Sequence, residues 1–130
     1  MEQGKREIRD GTLTIRATDG GGIQTLALAG ELDLANVETL AAELESAERA
    51  ATPITLDMTE LEFIDSTGIA LLVSAHRRLN RTGDPCFQLV PSEAKAVQRV
   101  LEVTGLSAKL PFVSLDEVTR GDRRPTAGER

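Results

Sequence analysis

The apolar residues of this chain change their spacing as the chain proceeds, and that change limits the possible folds more than any other feature. Leu13, Ile15 and Ala17 alternate with Thr12, Thr14, Arg16 and Thr18, the period of two that marks a strand with one wet face. Asp19-Gly20-Gly21-Gly22 reads as a turn, and the run Ile23 to Gly30 as a second, more buried strand, so the pair is expected to form a hairpin. From Leu34 the spacing becomes helical: Val37, Leu40, Leu44 and Ala47 share one face, while Glu38, Glu43, Glu45 and Glu48 lie elsewhere. Asp33 stands where an N-cap belongs. Pro53 ends the reach of that helix, and Ile54, Leu56 and Met58 then alternate with Thr55 and Asp57 in a third strand. A strand reached through a helix can pair in parallel with an earlier one, so Ile23 to Met58 reads as a right-handed β-α-β crossover.

The same alternation continues. Phe63-Ile64-Asp65-Ser66-Thr67-Gly68 precedes a helix with Ile69, Leu72, Val73, His76 and Leu79 near one face, which the stretch 80–85 stops. Cys86 to Val90 is a fourth strand; Val97, Val100, Leu101 and Val103 mark a third helix, and Gly105 is placed to end it in a left-handed conformation. Leu110 to Leu115 reads as a last short strand. The order β-β-α-β-α-β-α-β specifies a single α/β domain whose mixed sheet is opened by an N-terminal hairpin. Polar residues on one face of the first and third strands imply that the helices cover mainly the other face. Residues 1–10 and 119–130 are charged and poor in apolar content, which predicts flexible ends around a folded unit of 11–118.

Composition removes several classes of function. The 130 residues carry a formal net charge of -6 and neither Trp nor Tyr, so neither a phosphate-binding basic face nor a base-stacking surface is expected, and with them no nucleic-acid partner. One cysteine, Cys86, and one histidine, His76, supply neither a disulfide framework nor a Cys/His metal cluster, and no cofactor is called for. The polar start of the chain and the lack of a run near the roughly 18 apolar residues of a membrane span predict a cytoplasmic protein without direct membrane insertion. No Lys-Ser/Thr follows the triple glycine at 20–22 and a strand comes next, so that loop does not read as a phosphate cradle.

Open α/β sheets place their sites where the carboxyl ends of parallel strands meet helix N-termini, and Asp65-Ser66-Thr67-Gly68 sits at such an end. Either Ser66 or Asp65 suits the N-cap of the helix. A nucleophilic Ser66 needs a nearby base, but His76 lies ten residues along the same helix, roughly 15 Å away at 1.5 Å per residue. Phosphorylation suits the position better, because a helix N-terminus accepts the added charge of about -1.5 to -2 without unfolding the domain.

Three stretches, Gly30-Glu31-Leu32-Asp33, Ile54 to Leu61 (ITLDMTEL) and Phe63 to Gly68 (FIDSTG), resemble the hallmark segments of the anti-sigma factor antagonists, which are STAS domains. The resemblance covers about residues 11 to 117. It implies that Ser66, directly after the aspartate, is phosphorylated by an anti-sigma factor serine kinase with a histidine-kinase-like ATPase fold. It further implies that the unphosphorylated protein binds that kinase and frees a sigma factor, and that a PP2C-type phosphatase resets the switch. Thr67 occupies a position that the family fills with small residues. On this reading the chain is not an enzyme; Ser66 is the phosphoacceptor, Asp33, Asp65, Ser66, Thr67, Gly68 and Ile69 meet the partner, and the Leu32 to Asn36 turn and the Asp65 to Ile69 helix start form the contact surface. A capping role for Asp33 and a structural one for Asp65 stand beside that assignment. The alternative use of the same fold is a constitutive subunit of a lipid ABC transporter or of a stress-signalling scaffold.

Overall fold

A computed structural model describes residues 4–81, 86–114 and 116. The chain forms β1 (Lys5–Asp10), β2 (Leu13–Gly20), β3 (Ile23–Leu32), α1 (Val37–Arg49), β4 (Ile54–Ile64), α2 (Ser66–Leu79), β5 (Phe87–Val90), α3 (Lys95–Val103) and α4 (Leu106–Lys109). The five strands lie in sequence order in one mixed sheet. β1, β2 and β3 pair antiparallel, and β3, β4 and β5 pair parallel. Each step from β3 onward moves in the same direction across the sheet, so right-handed crossovers put the helices on one side. The result is a two-layer α/β domain, as the polar faces of the strands imply.

The buried layer is aliphatic. Leu13 and Ile15 of β2, Leu26 and Leu28 of β3, and Ile54, Leu56 and Met58 of β4 meet Leu40 and Leu44 of α1, Leu72 and Ala75 of α2, and Val97 and Leu101 of α3 in one cluster. Each such leucine or isoleucine, fully buried, contributes about 1.5–3 kcal/mol relative to an exposed one.

β4 departs from simple alternation. Ala27 pairs with Asp57 but Ala29 with Glu60, and Gly30 pairs with Leu61 but Glu31 with Phe63, so β4 carries two bulges. The extra residues shift its inward positions from 54, 56 and 58 to 61 and 64, which carries the strand through the stretch 59–62 to the edge of α2. Gly30 lies beside these shifts with a φ of 96°, and a Cβ there would stand 1.9 Å from the carbonyl oxygen of Thr12, so only glycine fits.

Three expectations need correction. Residues 5–10 are not a loose end: they form β1, with Ile8 against the core, an ion pair from Arg6 to Glu43 at 2.7 Å and one from Arg9 to Glu7 at 2.7 Å. Their charges are those of an edge strand, where side chains face water. α1 begins at Val37 rather than Leu34, and Asp33 does not cap it; Asn36 holds the N-cap position without a side-chain cap bond. Of the two candidates for the cap of α2, Asp65 holds the position and Ser66 is the first helical residue. The expected last strand is reduced to one parallel bridge between Leu89 and Phe112, and the short α4 precedes it. Gly105 does take the left-handed conformation, φ 79°, that ends α3. The stretch 119–130, residues 117–118 and most of the loop at 80–85 lie outside the described residues.

Candidate functional site

The parallel strands β3 and β4 end side by side in Leu32 and Ile64, which are paired in register. Both chains then turn: β3 into the loop 33–36 before α1, and β4 into Asp65 before α2. The site is the junction of these two turns.

Asp65 organises it. Its backbone is extended, and Oδ1 accepts from the N–H of Thr67 at 2.9 Å, the N–H of Gly68 at 3.1 Å and the hydroxyl of Thr67 at 2.6 Å. These are donors that an uncapped helix leaves unsatisfied. Oδ2 accepts from the N–H of Leu34 at 3.1 Å, and the Asp65 N–H donates to the carbonyl of Leu32 at 3.2 Å. The carboxylate thus joins the start of α2 to the neighbouring loop. The bond from the Thr67 hydroxyl, the largest effect, together with those from the Gly68, Leu34 and Thr67 amides, holds its pKa below the usual aspartate range against the opposing cost of burial.

The loop has its own frame. Asp33 Oδ1 accepts from the Ala35 N–H at 3.1 Å, and its carbonyl accepts from Asn36 at 3.1 Å and Val37 at 2.9 Å. Asn36, 2% exposed, accepts from the Asp33 N–H at 3.0 Å and donates to the carbonyls of Glu31 at 3.0 Å and Asp10 at 3.5 Å. Thr39 adds a hydroxyl bond to the Asp10 carboxylate. Asp33 is therefore a turn-forming residue.

Ser66 is exposed at the first position of α2, and among the described residues its hydroxyl has no hydrogen-bond partner. Its cap role has passed to Asp65, which leaves the oxygen free at the positive end of the helix dipole. Thr67 is turned toward Asp65, Ile69 is half-buried, and Gly68 is buried where a Cβ would stand 2.7 Å from Ile64 Cγ1 and 3.0 Å from Leu32 Cδ2. Gly68 thus lets α2 settle onto the ends of β3 and β4, and is covered rather than presented. His76, whose Nδ1 lies 3.1 Å from Asn80 Nδ2, is engaged within α2 itself.

Two apolar side chains at this end are exposed, Leu34 within the turn already expected to be a contact surface and Phe63 outside it. Leu34 is 72% exposed in the loop, and Phe63, at the second bulge of β4, is 44% exposed. The helical spacing suggested that Leu34 begins α1, and only the late start of that helix leaves it in the open. Asn36 was invisible as a fastening residue, since its three partners are set by tertiary structure.

The arrangement defines a small α/β module that presents an exposed hydroxyl, an ordered loop and exposed apolar side chains at one end. The chain belongs to the STAS domain family: the family described as "Mlab, STAS domain" matches residues 15–114. An anti-sigma factor antagonist from Mycobacterium paratuberculosis has a similar structure, with 20% identity, a TM-score of 0.69, and coverage of 94% of this chain and 95% of that one. SpoIIAA, an anti-sigma factor antagonist, is similar in its unphosphorylated form at 20% identity and TM-score 0.66, over 95% of this chain and 99% of that one. The phosphorylated form of SpoIIAA from Bacillus matches at 21% identity and TM-score 0.60, over 91% and 98%. At these identities the likeness is one of fold. Among the described residues no helix is long and apolar enough to cross a membrane.

Proposed function

We propose that this chain is an anti-sigma factor antagonist: unphosphorylated, it binds an anti-sigma factor serine kinase and frees a sigma factor, and phosphorylation of Ser66 ends that binding. The observation that carries this reading is the exposed and unpartnered Ser66 hydroxyl on the first turn of α2, beside a cap that does not need it. The kinase supplies ATP and catalysis, and the chain itself is a substrate. Leu34 and the loop 33–36, fastened to α2 through Asp65, form the second half of the contact surface. A PP2C-type phosphatase removes the phosphate.

Charge explains how so small a change suffices. A phosphate on Ser66 set against an acidic or tightly packed partner surface places like charge, or an unmatched charge, in a desolvated interface, which costs several kcal/mol. A 100-fold loss of affinity requires only about 2.7 kcal/mol. No rearrangement of the sheet is needed.

The test is an affinity capture from native-cell lysate with the wild type, Ser66→Ala and Ser66→Asp chains as baits, followed by phosphosite mapping of the recovered wild type. Retention of a histidine-kinase-like anti-sigma factor by wild type and Ser66→Ala, its loss with Ser66→Asp, and phosphate on Ser66 support the switch. Equal retention of an ABC ATPase or a scaffold by all three overturns it in favour of a constitutive subunit.

A further inference from the structure

The turns and first helical turns that follow the three parallel strands carry four side-chain hydroxyls: Thr39 after β3, Ser66 and Thr67 after β4, and Ser92 after β5. Three of them have their protons engaged. Thr39 donates to the Asp10 carboxylate at 2.5 Å, Thr67 to Asp65 Oδ1 at 2.6 Å, and Ser92, 2% exposed, to the carbonyl of Leu61 at 2.6 Å. Ser66 is exposed, and its hydroxyl has no partner among the described residues. Thr67 is the informative neighbour, because it offers a second hydroxyl on the same helical turn and is half-buried rather than covered. What sets the two apart is the bond to Asp65.

We infer that Asp65 is the residue that makes Ser66, and not Thr67, the phosphate acceptor; this rests on the proposed phosphorylation of Ser66. In the transfer, a hydroxyl oxygen attacks the terminal phosphorus of the ATP held by the kinase. The new O–P bond forms as the bond to the bridging oxygen breaks, the electron pair leaves with ADP, and the hydroxyl proton passes to a base of the kinase. Ser66 Oγ gives up no bond to do this. Thr67 Oγ1 must turn away from Oδ1, losing a short bond to a charged acceptor, and the arriving group, which carries about -1.5 to -2 charge, then stands beside the same carboxylate. The carboxylate is itself fixed, since Oδ1 also holds the N–H groups of Thr67 and Gly68, and Oδ2 holds that of Leu34. With the Thr67 hydroxyl these make four bonds, which fill the acceptor sites of a carboxylate, so Asp65 does not serve as the base for Ser66. Asp65 is a positioning residue that acts through Thr67. The loss of one charge-assisted bond changes the relative reactivity of two such hydroxyls by about 10- to 100-fold.

Phosphosite mapping of the full chain after incubation with ATP in native-cell lysate tests this, read as the ratio of phosphate at position 66 to phosphate at position 67 in the same sample. A ratio within one sample is independent of the overall rate, so a loss of stability or of kinase affinity does not move it. In Thr67→Ser the two acceptors are chemically alike, and phosphate is expected to stay on Ser66. In the double variant Asp65→Ala, Thr67→Ser the ratio is expected to fall by about 10- to 100-fold. Should Asp65→Ala fail to fold, Asp65→Gly carries the same measurement, because glycine is well tolerated at an N-cap. In Ser66→Ala, Thr67→Ser no phosphate is expected at position 67 until Asp65 is also replaced. Phosphate shared equally between positions 66 and 67 in Thr67→Ser, or a ratio unmoved by replacement of Asp65, overturns the inference and leaves Ser66 as the phosphoacceptor. Asp65 variants that take phosphate at neither position also overturn it, since release of Thr67 leaves Ser66 as reactive as before. A wild type without phosphate on Ser66 overturns the reading of that residue, and the inference with it.

Discussion

The carboxylate of Asp65 caps its own helix with one oxygen and, with the other, holds the backbone N–H of Leu34 at 3.1 Å, thirty-one residues away in sequence. One side chain therefore sets both halves of the surface around Ser66. Replacement by Ala removes the cap and the tie together, and is expected to cost about 1–2 kcal/mol of stability. Urea unfolding measures the loss, and hydrogen exchange should show faster exchange at the Leu34 amide. Asp65→Asn keeps an acceptor at Oδ1 and should lie between the two.

The same carboxylate predicts a pH dependence. Its pKa is lowered in the folded chain, chiefly by the Thr67 hydroxyl, so its contribution is fully present above the ordinary aspartate value of about 3.9 and is lost as pH falls through the lower, folded value. The stability gap between wild type and Asp65→Ala is therefore expected to hold constant from neutrality down to about pH 5 and to close as acid titrates the folded carboxyl. Urea midpoints of the two proteins across that range decide it. A gap that persists unchanged at the acid limit would mean that the ionised form is not what the site uses.

Gly68→Ala sets two effects against each other. Alanine favours a helix over glycine by about 1 kcal/mol. The new Cβ, however, meets Ile64 Cγ1 at 2.7 Å and Leu32 Cδ2 at 3.0 Å, and both side chains are buried in the core. Overpacking of this kind costs about 1–3 kcal/mol, so the variant is expected to melt below the wild type despite its better helix former. A thermal scan that shows a gain instead would contradict the close seating of α2.

Asn36 is buried with all three of its contacts made to backbone groups. Asn36→Ala strands the carbonyls of Glu31 and Asp10 and the Asp33 N–H, at a cost of about 1–3 kcal/mol. Asn36→Asp is expected to be worse at neutral pH, because a carboxylate oxygen then faces two carbonyl oxygens. It should recover part of the loss in acid, where a protonated carboxyl donates again. Chemical denaturation of the two variants at neutral and acid pH provides the comparison.

The order of elements from Leu13 to Gly105 was legible because spacing and punctuation act locally: Leu13, Ile15 and Ala17 mark one face of a strand, Pro53 and Gly105 mark boundaries, and each signal needs only its near neighbours. The edge strand at Lys5–Asp10 was not, since its only apolar residue is Ile8 and its charges read as a solvated tail until a partner strand is present. Asp33 looked like a cap for the same reason: residue type and position match, but the turn it makes with Ala35 and Asn36 delays the helix to Val37.

By itself, then, the sequence determined a small α/β domain with a serine at the mouth of its second helix, together with the resemblance that gives that serine a meaning. What it left open was which side chain caps α2, what Asp65 does with its second oxygen, and where Leu34 and Phe63 end up. Those were decided by the tertiary structure. A cap competes among adjacent residues through differences of about 1 kcal/mol, too small to choose between Asp65 and Ser66 without the neighbouring loop. The Leu34 contact and the exposure of Phe63 follow from the register of β3 against β4 and its two bulges, which arises only when strands distant in sequence are paired.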